Sequence, residues 1–425
     1  MNIFRPSHIV FVTIKLGLLY ILQDSALENS IKQIPFFNTK FTDYSRVQEA
    51  FYFIGQNQDP YQVEHIFQKP FMVYGLYYLK NIPGAITVLF VLFDLLLAEL
   101  VSNLEFSHSK KKDLQTRQKI SNFIRYAYHL NPLSFFAIIT KWTSIFEYTF
   151  GLLAVYLFAK NNRFLGSLFY GVSLYLNPTM IMLIVPLVCS SFLNKQKAAL
   201  SVFSIVVSFS VFVALLFASY ILLGSLNFFK NAYISAYHVK LFQPSIGLMW
   251  SIFSGMFNSY QNMYHMIYFF LPLCHIFPLV QISYKAIKDN QFTSGLYGFI
   301  AGVSLFVGYY HFSFITVYDL IIIFTLLFTA YEYIVEIKVF AVLFYAPLVV
   351  LGLTSMLGIY WFYGLTGNPN FMFIQTMVAY VFLIIMVTEA LKSLCFQKKN
   401  ELKELKDQEE KSKNDQINLA EKKNN

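Results

Sequence analysis

Apolar residues along this chain fall into runs of about 20, the length a helix needs to cross the hydrocarbon of a bilayer. Such runs are readable at 82–102, 142–159, 163–192, 198–223, 264–283, 293–311, 312–331, 338–363 and 371–392, after an apolar stretch from Ile9 to Leu22. None shows the strict alternation of a transmembrane barrel strand. Backbone amides cannot stay unpaired in lipid, so runs of this kind must be helices. The fold class expected is therefore all-α: a polytopic membrane protein of roughly 10–12 transmembrane helices, with re-entrant or interfacial helices among them.

Several runs are interrupted. The 163–192 stretch is too long for one span and contains Asn177-Pro178, where the proline removes a donor and kinks or ends a helix. It predicts two short helices, or one span with a re-entrant piece. The segments 127–141 and 246–260 are aromatic and amphipathic, and predict interfacial or re-entrant pieces. Gln23-Asp24-Ser25 follows the first apolar stretch where a signal peptide would carry a small-residue cleavage site, so a retained first helix is expected.

The polar segments set an orientation. Residues 23–69 balance acids against bases, whereas Lys110-Lys111-Lys112, Arg117, Lys119 and Arg125 make 103–125 the strongest basic loop within the body of the chain. The positive-inside rule places 103–125 in the cytoplasm and 23–69 in the lumen. One transmembrane domain is expected over 1–396, followed by a charged cytoplasmic tail over 397–425. That tail mixes charges and has no apolar face broad enough to dock, so disorder or a solvated helix is expected. Lys422 and Lys423 stand fourth and third from its end, as in the dilysine retrieval signal of ER membrane proteins, an address read by a receptor.

Composition agrees with lipid as the solvent. Hydrophobic residues are 56% and charged residues 13% of the chain, against about 25% charged in soluble domains. The net charge of +9 would suit nucleic acid, but surplus Lys and Arg in cytoplasmic loops account for it, and no nucleic-acid partner is expected. Cys189, Cys274 and Cys395 lie in or beside apolar segments and suggest neither a disulfide framework nor a zinc site. Phosphate-cradling glycine loops, zinc-type histidine pairs and nucleophile elbows are absent, so no cofactor or metal is expected. The ionisable residues inside apolar runs carry more information, because each costs several kcal/mol there unless paired or wetted. They are Asp94, Lys141, Glu147, Asp319 and Glu332. Lys141 and Asp319 read as the deepest, while Asp94 and Glu332 reach an interface by position alone. The set implies either internal ion pairs and hydrogen bonds or a polar cavity for a lipid head group. Trp250, Phe253 and Phe257 stand at i, i+3 and i+7, a stripe that serves packing or interfacial anchoring as readily as binding.

Five short stretches resemble one family. Pro244-Ser245-Ile246-Gly247-Leu248-Met249-Trp250 followed by Met256-Phe257 is similar to the P-N-I-G-L-F-W-Y-F-F-x-E-M-F signature of PIG-U, a subunit of the GPI transamidase. Asp59-Pro60-Tyr61 with Lys69-Pro70 resembles that family's S-P-Y…T-P element in the first luminal loop, and Asn131-Pro132 with Lys141 its L-L-N-P…A-K stretch. Thr316-Val317-Tyr318-Asp319 looks like its T-V-G-D, and Gly367-Asn368-Pro369-Asn370-Phe371 falls at its asparagine-rich luminal turn before the last helix. These stretches keep the family's order from about residue 41 to 395. Two features depart from the pattern. Gly255 replaces the glutamate expected before Met256, and the charged tail resembles a lineage-specific addition.

The resemblance implies a non-catalytic subunit of the GPI transamidase, multi-pass in the endoplasmic reticulum membrane. Its implied partners are a cysteine-protease catalytic subunit, subunits with large luminal domains, and the GPI lipid. The chain would hold the lipid's acyl chains between its helices. Asn368 and Asn370 would donate amide hydrogen bonds at the luminal mouth, beside Phe371, although each is equally a turn residue capping the last helix. Trp250, Phe253, Phe257 and Tyr61 would supply ring surface at the membrane boundary, and Lys141 and Asp319 polar groups to the lipid. PIG-U resembles in scaffold the dolichol-phosphate-sugar mannosyltransferases of the same pathway, the GT-C-like architecture, so an active transferase is the alternative. Those enzymes carry an acidic pair early in the first luminal loop, as general-base or metal chemistry requires. Here the stretch is Phe41-Thr42-Asp43-Tyr44-Ser45-Arg46, with one acid and an arginine expected to hold its charge. A transporter would show internal repeats with matching broken helices, and only the Asn177-Pro178 break is found.

Overall fold

The computed structural model describes residues 6–22, 25–34, 36–106, 114–193, 198–235, 245–247, 249–289, 295–310, 314–330, 339–362, 364, 368 and 370–392. Lys110 to Lys112, Pro244, Glu332, Cys395 and the tail with Lys422 and Lys423 lie outside them. Among the described residues all regular structure is helical. The first half comprises α1 (Pro6–Leu22), α2 (Ala26–Gln33), α3 (Tyr44–Gly55), α4 (Pro70–Leu79), α5 (Ala85–Phe106), α6 (Leu114–Leu130), α7 (Pro132–Ile139), α8 (Ile145–Ala159) and α9 (Arg163–Leu176). There follow α10 (Ile184–Leu193), α11 (Ala198–Leu223), the single turn α12 (Asn227–Phe229), α13 (Met249–Ser254), α14 (Asn258–Asp289), α15 (Gly295–Tyr310) and α16 (Val317–Leu327). The last two are α17 (Phe340–Phe362) and α18 (Asn370–Lys392).

Among the described residues five helices, α5, α11, α14, α17 and α18, are long and apolar enough to cross a bilayer. Five shorter apolar stretches, Val10–Leu22, Ile145–Ala159, Pro178–Cys189, Tyr297–Tyr309 and Val317–Ala330, accompany them. The chain is thus the all-α polytopic membrane protein that its apolar runs predict. Burial separates an inner helix from outer ones. In α5 56% of the apolar window is buried, against 17% in α11 and 18% in α14. Helix α11 turns Val202, Phe203, Val206, Phe209, Val213 and Phe217 outward, a belt that would aggregate in water and that lipid accommodates. Its other face meets α9 closely, because a Cβ on Gly171 would stand 2.6 Å from both the Ser208 carbonyl oxygen and Val211 Cβ. Small residues permit such approach where dispersion, rather than exclusion from water, holds helices together.

Two buried ion pairs fasten the inner helices. Lys15 of α1 pairs with Asp94 of α5, whose second oxygen accepts from the Tyr128 hydroxyl of α6 at 3.0 Å. Glu99 of α5 pairs with Arg125 of α6, which also donates to the Ser102 hydroxyl at 3.1 Å. Asp94 therefore does not reach an interface. It is fully buried, and its charge is matched by a lysine 79 residues away.

The 23–69 segment is not a plain loop. Ser25 caps α2 through Glu28 N at 3.1 Å, Asp43 caps α3 through Ser45 N at 2.9 Å, and Asp59 caps a 3-10 turn at Pro60–Gln62. Phe36, Tyr44, Val47 and Tyr61 anchor the segment in the core. Asp43 spends its carboxylate on the cap, and Arg46 turns to Glu49 at 3.1 Å instead of holding Asp43's charge. The 163–192 stretch resolves into two helices: α9 ends at Leu176, Pro178–Leu183 is a 3-10 turn, and α10 follows. Helix α14 runs on through Pro272 and Pro278 for 32 residues, longer than the 264–283 run, and absorbs the end of the amphipathic 246–260 piece. Prolines are tolerated in membrane helices where neighbouring groups re-satisfy the backbone.

Candidate functional site: a polar cavity at the Asn177-Pro178 break

The break in the α9–α10 stretch builds a polar cavity. Proline denies a helix its next backbone bond, and Asn177 takes over the unpaired groups. Its Oδ1 accepts from Thr179 N at 3.0 Å and from the Thr179 hydroxyl at 2.8 Å, starting the 3-10 turn. Its Nδ2 donates outward to Glu147 Oε1 on α8 at 3.0 Å and to the Tyr309 hydroxyl on α15 at 3.2 Å. One side chain thus caps a turn and ties together three elements. Around it lies a cavity of about 90 Å³, into which Lys69, Glu147, Asn177, Tyr309 and Asp319 contribute polar groups beside Phe41, Phe67 and Phe314.

Asp319 enters at the start of α16, in a capping box. Its Oδ2 accepts from Thr316 N and the Thr316 hydroxyl, both at 2.6 Å, and Tyr148 donates to Oδ1 at 2.7 Å. A carboxylate so fully engaged is a structural anchor of the wall. Lys69 enters from the other side, as the N-cap residue of α4 ahead of Pro70. Its Nζ donates to the Ala232 carbonyl at 2.9 Å and stands 4.8 Å from the centre of the Tyr233 ring. Burial pushes its amine down to about 8, and the charge of Glu147 works against that fall. The cavity therefore offers the Lys69 amine, the carboxyl groups of Glu147 and of the fully engaged Asp319, and several hydroxyl and amide groups against aromatic walls. That is an inventory for recognising a polar head group.

A second, larger cavity of about 690 Å³ lies between α6, α16 and α17, lined by Phe123, Leu130, Phe324 and Tyr345 among others, with no charged side chain among the described residues of its wall.

A family model described as GPI transamidase subunit PIG-U matches residues 9–379. The chain belongs to the PIG-U family. It is similar to the GPI transamidase component GAB1 of Saccharomyces cerevisiae, 26% identical over 261 residues, covering 61% of this chain and 62% of that relative. It is also similar to the GAB1 homolog of Schizosaccharomyces pombe, 25% identical over 256 residues, covering 57% of this chain and 60% of that relative. The chain thus spans less than two thirds of the length of either.

Within this PIG-U family member the residues singled out by sequence are dispersed. Glu147, Asn177 and Asp319 line the polar cavity, and Asp319 is the one among them expected to contact the lipid. Tyr61 is buried, donating to the Gln68 carbonyl at 2.7 Å, and so fixes the strand of chain that carries Lys69 rather than presenting its ring outside. Trp250 is buried, its Nε1 donating to the Ser245 carbonyl at 2.9 Å and its ring stacking on Trp361. Phe253 is buried against His265 and Tyr268. The stripe does not extend to Phe257, because α13 stops at Ser254 before Gly255 and α14 begins at Asn258; Phe257 is 79% exposed. Lys141, at φ +52°, closes the C-terminus of α7, its N–H donating to the Ile138 carbonyl at 3.0 Å, and its amine lies over the Tyr44 ring and lines a separate pocket shared with Glu28. Asn368 is exposed and accepts from Asn370 N at 2.9 Å, which makes it the cap of α18; Asn370 and Phe371 are exposed at the start of that helix. Sequence reasoning missed Lys69, Tyr309 and Thr179 as site residues. Only Lys69 carried a local signal, its place directly before Pro70 at a helix start.

Proposed function

We propose that this chain is a non-catalytic subunit of a GPI transamidase in the endoplasmic reticulum membrane, and that it binds the GPI lipid and presents it to a cysteine-protease subunit. The observation that carries the reading is the PIG-U match from residue 9 to 379, which spans the membrane helices and the 23–69 segment alike. Two features support it. The Asp43 carboxylate serves as a helix cap, and the acidic pair of a sugar transferase is missing beside it. The cavity between α6, α16 and α17, whose described lining residues carry no charge, suits acyl chains. In this reading Asn368, Asn370 and Phe371 meet the glycan side of the lipid, as amides and a ring exposed at the head of α18. Trp250, Phe253 and Tyr61 hold the neighbouring chain in place, and Phe257 lies against lipid.

The test is recovery of partners. The tagged full chain, solubilised in mild detergent, is expected to bring down a caspase-like cysteine protease and subunits with large luminal domains. Recovery of the chain alone, with mannose transfer from a dolichol-phosphate sugar in the same fraction, would overturn the reading in favour of a transferase.

A further inference from the structure

The polar cavity does not end at its own wall. Met72, Phe146 and Leu176 line it on one side and on the other line an apolar groove of about 300 Å³ between α4, α5, α8, α9 and α11. The groove is bounded by Leu76, Leu89, Phe93 and Leu215 and, among the described residues, carries no ionisable carboxyl or amine group. A polar chamber separated from an alkyl-lined groove by the side chains of Met72, Phe146 and Leu176 sets a head-group site and a tail site side by side.

The chamber's charges specify the head. Lys69 and Glu147 act on one another electrostatically, yet neither bonds to the other among the described residues. Lys69 donates to the Ala232 carbonyl, and Glu147 accepts from Asn177. A buried amine and a buried carboxyl group that face a common space without bonding to each other are costly unless a partner satisfies both. Asp319 does not compete for such a partner, because Thr316 and Tyr148 occupy its oxygens. A ligand with an anionic phosphate and a primary ammonium two carbons apart would meet Lys69 with the first and Glu147 with the second, through charge-assisted hydrogen bonds.

We propose that the Lys69–Glu147 chamber and the groove behind Met72, Phe146 and Leu176 together form a resident site for a glycerophospholipid with a phosphoethanolamine head group. Phosphoethanolamine also decorates GPI glycans, but there several sugars separate it from the alkyl chain. A groove that adjoins the chamber directly fits the glycerophospholipid, whose ammonium, phosphate and acyl chain follow one another. The inference does not depend on membership of a transamidase.

Gly75 supplies a clean perturbation. It faces the groove in the middle of α4, and a Cβ placed on it meets nothing within 4 Å. Gly75→Leu therefore projects into the groove from a position where the Cβ itself meets nothing, and with better helix propensity. The full chain in mild detergent would be supplied with equal amounts of dioleoyl phosphatidylethanolamine, phosphatidylcholine and phosphatidylglycerol, then examined by native mass spectrometry. One phosphatidylethanolamine is expected to stay bound in preference to the other two. Gly75→Leu is expected to lower its retention at least tenfold, and Glu147→Gln to bring it to the level of phosphatidylglycerol. Equal retention of the three lipids, undiminished phosphatidylethanolamine in both variants, or a co-purified glycolipid in its place would each overturn the proposal. Unchanged thermal stability of Gly75→Leu separates a lost site from a lost fold.

Discussion

Asn177 is the residue on which the cavity depends, and its removal has a calculable cost. The side chain makes two bonds as a cap, to Thr179 N and the Thr179 hydroxyl, and two as a donor, to Glu147 and Tyr309. Loss of a cap costs about 1 kcal/mol. A hydrogen bond to a carboxyl group contributes about 1.5–3 kcal/mol and one to a neutral hydroxyl about 0.5–1.5. The sum is about 3–5 kcal/mol, reduced to about 2–4 because water in the adjoining cavity substitutes for part of the donor. Asn177→Ala is therefore expected to destabilise the chain by about 2–4 kcal/mol. Asn177→Ser keeps an acceptor for the cap and is expected to recover roughly 1 kcal/mol of that. Asn177→Asp also keeps the cap but faces Glu147 with a second carboxylate, and is expected to be the worst of the three. The assay is equilibrium unfolding of the full chain in mixed micelles, followed by far-UV circular dichroism. An alanine variant within 0.5 kcal/mol of wild type, or serine and alanine variants of equal stability, would refute the role assigned to this residue.

Lys15→Met should leave Asp94 as a buried carboxylate with Tyr128 and, at 4.0 Å, His129 beside it and cost about 3–5 kcal/mol, while Lys15→Met combined with Asp94→Leu should recover most of it in the same unfolding assay. Gly171→Ala should separate α9 from α11 at a cost of about 1–3 kcal/mol, whereas Gly75→Ala, which meets nothing, should be neutral or stabilising by up to about 1 kcal/mol. Burial lowers the Lys69 amine from 10.5 to about 8. Between those values the unfolded chain keeps a proton that the folded chain has released, so this group's contribution to stability rises with pH. Thermal unfolding of wild type and Lys69→Met across pH 7 to 10.5 should therefore shift in favour of wild type as pH increases, and a difference that stays flat would contradict the burial of this lysine.

The apolar runs read the helices well because each run alone is long enough to require lipid. The Asn177-Pro178 break was legible for a similar reason: proline acts locally, whatever surrounds it. Longer-range facts were hidden. Asp94 looked able to reach an interface, since nothing near it in sequence announces Lys15. The chamber draws Lys69, Glu147, Asn177 and Asp319 from four separate elements, and only packing brings them to one space. Trp250, Phe253 and Phe257 looked like one stripe because periodicity assumes a continuous helix, and the interruption at Gly255 cancels that assumption. Asn368 is a mixed case. Its exposure at the head of α18 agrees with a binding role, while its bond to Asn370 N is the capping role that asparagine-rich turns ordinarily have.

We propose that this PIG-U family member serves the transfer of finished GPI to protein rather than the assembly of GPI. Depletion of the chain, followed by parallel analysis of GPI lipids and precursor proteins, tests it most directly. The account predicts that complete, fully mannosylated GPI accumulates while precursors keep their C-terminal signals. Accumulation of intermediates lacking a mannose, restored by the wild-type chain but not by Asp43→Asn, would contradict it.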